Sequence, residues 1–435
     1  MSEPRILTRS DMKTLGLSSL GGALEFYDFI IFVFFTKIIS AVFFNPETAP
    51  WLATLQTYSI FASGYLARPI GGIIMAHLGD KFGRKKVFTF SILLMAFSTL
   101  CMALVPSYAS IGVAAPILLA LFRILQGIAI GGEIPGAWTF VSEHVPSRYV
   151  GFATGFLTSG LSLGILLGSL VATLVNHLFS PQFIMDYGWR GAFILGGIFG
   201  LLAVWLRQWL DETPIFKQMQ KARSLTKEVP LKIVLKSHGE SVLIAVLLTW
   251  ALSATIVIST LMTPNFMENP PYGYSGNTAL AANCVTSLFL IIATPIAGIL
   301  CDRIGSGRFF LGGGICFAIT AYVFYNYAGT STLSLFVLSA FLGFFAGYVG
   351  AVAYVMVKAF PAAVRFTGLA FSYNMSYAIL GGTIPVVISL INSLTPMGHV
   401  WYLLAIGMLA SGLGIYLLCR GEARQFDIGV EEKPK

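Results

Sequence analysis

Glu25 and Asp28 stand three residues apart in an otherwise apolar stretch, a spacing that puts them on neighbouring positions of one helix face. Counted from Thr14 at about 1.5 Å per residue, they lie roughly 16 and 21 Å into the helix, near the middle of a bilayer. Low-dielectric surroundings penalise an ionised carboxylate and a nearby cation restores it, so a change of access at that depth can load and release a proton. Arg123 lies about 14 Å into another apolar stretch, where a permanent charge needs a partner. Asp28 and Glu25 match its depth. The competing reading of the three is a static ion pair that fixes helix packing.

Other polar groups surround this set. Glu133 is ten residues beyond Arg123, about 80° away around the helix; it lines the cytoplasmic end of a cavity or pairs with Arg68. Arg68 is placed to attract an anionic substrate or to serve as a structural cation, and Lys37 to snorkel. Tyr58, Trp138, Tyr354, Tyr373, Asn374 and Tyr377 are candidate cavity contacts, with bundle packing as the alternative. Gly160, Gly164 and Gly168 recur every four residues, which permits close helix approach. The five cysteines lack C-x-x-C spacing and the five histidines are scattered, so no metal site or cofactor is expected. No Walker or H-E-x-x-H signature points to an enzyme.

The elements that carry these residues follow from composition. Of 435 residues, 56% are hydrophobic and 11% charged, far from the averages of soluble domains. The net charge of +8 does not imply nucleic-acid binding, because its distribution has another meaning. Apolar segments long enough to cross about 30 Å of hydrocarbon run over 15–43, 52–78, 87–105, 112–142, 149–178 and 190–210, then 241–266, 277–301, 308–327, 332–360, 364–392 and 399–419. Unpaired strand edges are intolerable in lipid, so all are expected to be helices. Lys and Arg gather on alternate loops, which places both termini in the cytoplasm. No removable signal peptide is expected. The polar segment 211–240 separates six spans from six, giving bundles at 1–210 and 241–420 and a tail at 421–435.

The halves repeat one another. Asp80-Lys81-Phe82-Gly83-Arg84 follows the second span and Asp302-Arg303-Ile304-Gly305 the eighth; Arg148-Tyr149-Val150-Gly151 opens the fifth and Arg365-Phe366-Thr367-Gly368 the eleventh. With Arg123-Ile124-Leu125-Gln126-Gly127, the chain resembles the major facilitator superfamily over essentially its whole length. Leu24-Glu25-Phe26-Tyr27-Asp28-Phe29, Arg68-Pro69-Ile70-Gly71, Gly188-Trp189-Arg190 and Gly381-Gly382-Thr383-Ile384-Pro385 are similar to its metabolite:proton symporter branch, whose members carry carboxylates or zwitterions such as proline and betaine.

The resemblance implies an all-α integral membrane fold of twelve transmembrane helices in two pseudo-symmetric six-helix bundles. It implies proton coupling through Asp28 opposite Arg123, with Glu25 as a second protonation site or substrate contact. Arg68, Gln126, Glu133, Tyr27, Tyr58, Tyr373, Asn374 and Tyr377 are expected at the substrate cavity. Asp80, Lys81, Gly83, Arg84, Arg148, Asp302, Arg303 and Arg365 are expected in a latch that holds the bundles together on the cytoplasmic side. The function expected is proton-coupled symport of a small carboxylate or zwitterion, by a functional monomer in the lipid bilayer of a bacterial inner membrane. A proton-independent facilitator or exchanger, or an osmolyte carrier, is the alternative; osmosensory carriers often bear a long coiled-coil tail, for which residues 421–435 leave no room.

Overall fold

The computed structural model describes residues 6–82, 84–208, 230–361, 364–395 and 397–420, without the side chains of 76–89, 207 and 230. The segment from 209 to 229, Gly83 and the tail 421–435 thus lie outside the described residues.

Twelve long helices account for most of this chain. They are α1 (Arg9–Phe34), α2 (Pro50–Phe82), α3 (Arg84–Leu104), α4 (Ala114–His144), α5 (Ser147–Leu178) and α6 (Pro181–Leu206). After residue 230 come α7 (Gly239–Glu268), α8 (Gly276–Ile304), α9 (Ser306–Thr330), α10 (Thr332–Ala359), α11 (Arg365–Leu394) and α12 (Gly398–Arg420). Among the described residues, ten of these are long and apolar enough to cross a membrane. The remaining two are α2, which is 33 residues long, and α3, whose apolar part is Phe90–Leu104.

Several helices are interrupted where the sequence is weakest as a helix. The first expected span, 15–43, breaks at Phe35 and resumes as Thr36–Phe43; the Thr36 hydroxyl donates to the Val33 carbonyl at 2.7 Å, a local bond that competes with the helical ladder. In α4 the break falls at Gly131-Gly132, where two glycines lower helix propensity. In α7 and α11 a widened π-type turn, Val257–Met262 and Tyr377–Gly381, precedes Pro264 and Pro385, since a proline ring cannot pack against the carbonyl four residues earlier. The chain in α10 tightens over Gly347–Ala351.

Packing follows two matching sets. In the first half α1 lies on α5 and α6, α2 on α4, and α3 on α4 and α6; in the second, α7 lies on α11 and α12, α8 on α10, and α9 on α10 and α12. The halves meet along α5 with α8 and α2 with α11. Glycines set the closest approaches: a Cβ on Gly127 would lie 1.9 Å from the Gly64 carbonyl oxygen, and one on Gly298 2.0 Å from that of Gly151. Gly160 and Gly164 likewise press α5 onto the Ser19 and Ala23 carbonyls of α1, the close packing that their spacing predicts.

Candidate functional site

The interior of the first half holds buried charge. Asp28 is 1% exposed and Arg123 fully buried, on α1 and α4. Arg123 donates to the Phe29 carbonyl at 3.0 Å and to Gln126 Oε1 at 2.7 Å. Its guanidinium lies 4.3, 4.6 and 5.0 Å from the ring centres of Phe29, Phe32 and Phe61, a cage that stabilises a cation through π faces. Gln126 turns its amide nitrogen to Thr99 Oγ1 on α3. Asp28 is the neighbour of Thr99 and falls within electrostatic reach of Arg123 and Glu133. A connected series, Arg123 to Gln126 to Thr99, therefore stands beside Asp28, whose two carboxylate oxygens have no hydrogen-bond partner, where Arg123 was expected as its charge partner. Gly196 of α6 lies against both Asp28 and Thr99: a Cβ there would be 2.8 Å from Asp28 Oδ1 and 3.3 Å from Thr99 Cγ2. Glu25 and Glu133 are also buried.

Among the described residues, two openings lie between the halves. The central one, about 30 Å³, is lined by Phe26, Trp138, Thr158, Ser162, Ile256 and Tyr373, among others, and so by both halves. It is too small for a metabolite. The other is a vestibule of about 880 Å³ at the face opposite the N-terminus, with walls from α1, α2, α7 and α11 and with Tyr58 among its residues. Across its mouth, Lys37 pairs with Glu268 of the second half.

Among the described residues, several contacts join the halves at the N-terminal face. Asp302, at the end of α8, accepts the Gly151 and Phe152 amides at 2.9 Å each, a carboxylate at the positive end of α5. Arg365 reaches Glu143 of α4 at 3.5 Å, both side chains about 5% exposed or less, and also donates to the Val357 carbonyl at 3.0 Å. The Asn374 amide donates to the Gly131 carbonyl across the halves. Above these contacts Tyr65 stacks on Tyr377 at 5.2 Å, and Arg68 lies 4.3 Å from the Tyr377 ring centre and 5.0 Å from that of Tyr373.

The expected cavity residues thus divide. Tyr373 and Tyr377 line the central opening and Tyr58 the vestibule. Arg68 lies beneath the stacked tyrosines, and Asn374 bridges the halves. Tyr27 is one residue, about 100°, around α1 from Phe26, and its hydroxyl donates to the Ala192 carbonyl of α6 at 2.9 Å; Gln126 belongs to the Arg123 series. Of the latch residues, Asp302 and Arg365 join the halves, Arg303 is exposed and Arg148 lies over Tyr149. Gly83 and the side chains of Asp80, Lys81 and Arg84 lie outside the described residues.

The superfamily model described as "Major Facilitator Superfamily" matches residues 18–286. The chain belongs to the major facilitator superfamily. It is a multi-pass membrane transporter, not an enzyme, with the twelve-helix fold of that superfamily. Among its relatives are the proline/betaine transporter of Salmonella typhimurium, 31% identical over 93% of this chain and 82% of the relative, and the glycine betaine/proline/ectoine/pipecolic acid transporter OusA of Dickeya dadantii, 30% identical over 93% and 83%. A putative proline/betaine transporter of Staphylococcus aureus is 31% identical over 91% and 86%. The fold matches the proton:xylose symporter XylE bound to 6-bromo-6-deoxy-D-glucose with a TM-score of 0.76, at 17% identity over 94% of this chain and 95% of that one. Against an inward-open form of XylE from E. coli the TM-score is 0.68, at 17% identity over 94% and 96%.

Within this superfamily member, sequence reasoning missed Thr99, Glu143 and the cage of Phe29, Phe32 and Phe61. Glu143 had a signal, an acid at the end of α4 opposite the repeated Arg365 motif. Thr99 had none, because a threonine in an apolar helix ordinarily bonds its own backbone, as Thr99 also does to Met95 at 3.1 Å.

Proposed function

We propose that this chain is a proton-coupled symporter of a compact zwitterionic metabolite. It works as a monomer in a bacterial inner membrane with both termini in the cytoplasm, and two units, residues 1–210 and 241–420 joined by 211–240, open alternately to either side. The observation that carries the proton half of this reading is the burial of Asp28 within reach of Arg123 at mid-membrane depth. The guanidinium donates to neutral oxygens and lies among π faces rather than against the carboxylate, so Asp28 can gain or lose a proton without breaking a hydrogen bond of Arg123.

The substrate half rests on the central opening and the relatives' names. Phe26, Trp138, Tyr373 and Tyr377 offer π faces to a substituted ammonium. The Trp138 indole N–H is buried with no hydrogen-bond partner and is available to a carboxylate. None of the residues lining this opening is charged, which suits a net-neutral zwitterion better than a di- or tricarboxylate. The interhalf contacts on the N-terminal face and the vestibule opposite support an outward-facing, nearly occluded state.

Purified protein in proteoliposomes tests the reading. An acid-outside gradient is expected to drive accumulation of glycine betaine or proline, and citrate and succinate are expected neither to accumulate nor to compete. Uptake that only equilibrates, whatever the gradient, would instead identify a facilitator.

A further inference from the structure

We propose that Arg68 forms a second carboxylate subsite, masked by tyrosine rings in this structure and uncovered when the cytoplasmic side opens, to which the substrate carboxylate passes from the Trp138 indole. The inference rests on the zwitterion reading and gives a role to a buried charge which that reading leaves unused.

The unused donors of Arg68 carry it. The residue is 1% exposed, and among the described residues no ion pair reaches it. Its Nε and Nη2 are buried with no hydrogen-bond partner. These two nitrogens share one edge of the planar guanidinium, and parallel N–H bonds from such an edge match the two oxygens of a carboxylate. The surrounding rings answer the charge but not the edge. The guanidinium carbon lies 4.3, 5.0 and 5.3 Å from the ring centres of Tyr377, Tyr373 and Tyr65; π faces stabilise a cation and supply no in-plane acceptor.

The same rings tie this edge to the central opening. Tyr373 and Tyr377 line that opening and lie 4.7 Å apart. Tyr373 is 5.0 Å from the Trp138 ring and 5.0 Å from the Arg68 guanidinium, so one side chain adjoins both carboxylate donors. Arg68 belongs to α2 of the first half and the two tyrosines to α11 of the second, where Tyr377 begins the π-type turn Tyr377–Gly381. Parting of α2 from α11 takes the π faces away and strands a buried cation. A carboxylate arriving at the Nε–Nη2 edge replaces them with a charge-assisted, bidentate pair. Arg68 thereby favours the cytoplasm-open state when it is loaded, and favours a substrate that ends in a carboxylate.

The test uses right-side-out and inside-out membrane vesicles and measures the half-saturating concentration for exchange of radiolabelled glycine betaine and proline by Arg68→Gln, Arg68→Lys and the unmodified protein. Expected for R68Q is a rise of about tenfold or more at the cytoplasmic face, with the outer face within about twofold. R68K is expected to show a smaller rise at the cytoplasmic face, because lysine keeps the charge without the fork. Choline, which has an alcohol where glycine betaine has its carboxylate, is expected to compete about tenfold more weakly than glycine betaine at the cytoplasmic face of the unmodified protein, and R68Q to narrow that gap to about threefold or less. Unchanged half-saturation at both faces overturns the proposal, as does an equal rise at both, which marks a packing role; R68K is read by the same criteria if R68Q does not fold. Unmodified protein that exchanges neither glycine betaine nor proline overturns the zwitterion reading itself, whereas exchange by the unmodified protein with R68Q indifferent overturns the Arg68 subsite alone.

Discussion

The two halves use corresponding helices to opposite ends. In the first, α1 and α4 bury Glu25, Asp28, Arg123 and Glu133, and α2 buries Arg68. In the second, α7 and α10 bury Ser253, Thr255, Ser259, Thr260, Ser339 and Tyr348, and α8 buries Asn283, Thr286 and Ser287. Among the described residues, the one buried Lys or Arg of the second half is Arg365, at the N-terminal face rather than mid-bundle. The same fold therefore places charge in one half and hydroxyls in the other. Charge in a dry interior is expensive to keep and sensitive to a single proton, whereas neutral hydroxyls are insensitive to it. Under the proposed function, the first half carries the coupling and the second moves against it.

The sharpest way to break this contrast is to remove a charge. Arg123→Leu leaves Asp28 without its cation and is expected to cost about 3–5 kcal/mol of stability, read as a lower thermal unfolding midpoint in detergent. Adding Asp28→Asn to it is expected to recover most of that loss; no recovery would mean the two residues are not a charge couple. A second variant tests the contacts at the N-terminal face. Arg365→Gln removes the contact to Glu143 between α11 and α4, a charge-assisted interaction worth about 1.5–3 kcal/mol. It is expected to raise alkylation of a cysteine placed at Ser162, applied from the N-terminal face, by about tenfold or more.

Smaller effects are expected where the charges are absent or wet. Thr255→Val deletes the hydroxyl bonded to Tyr348 at 2.9 Å and is expected to cost about 1 kcal/mol with no change in the accumulation ratio. A coupling defect in that variant would erase the distinction between the halves. Lys37→Gln breaks the pair with Glu268, whose side chains are 60% and 25% exposed; surface pairs contribute about 0–1 kcal/mol. Outward opening is expected to change less than about fivefold, and less still in high salt.

Much of this was legible in the chain. Twelve apolar stretches and two repeated loops dictate the duplicated helical fold, because lipid leaves the backbone no other way to satisfy itself. The depth of Asp28 and Arg123 follows from counting residues, so their proximity was foreseeable. The atom that Arg123 touches was not, since the choice between a carboxylate and the Phe29 carbonyl depends on how α1 is rotated against α4. Tyr27 shows the same limit: one step from Phe26 turns it from the central opening to α6. Asp302 could be found from the repeat, but its acceptance of the Gly151 and Phe152 amides required knowing that glycines let α8 and α5 meet. The helix interruptions at Phe35 and at Gly131 were hidden inside stretches that are apolar throughout.

The measurement that bears most directly on the central claim is transport by Asp28→Asn in proteoliposomes, with gradient-driven accumulation and counterflow followed in the same preparation. The account predicts that counterflow persists while an acid-outside gradient no longer raises internal glycine betaine or proline above equilibrium. Accumulation equal to that of the unmodified protein would contradict it.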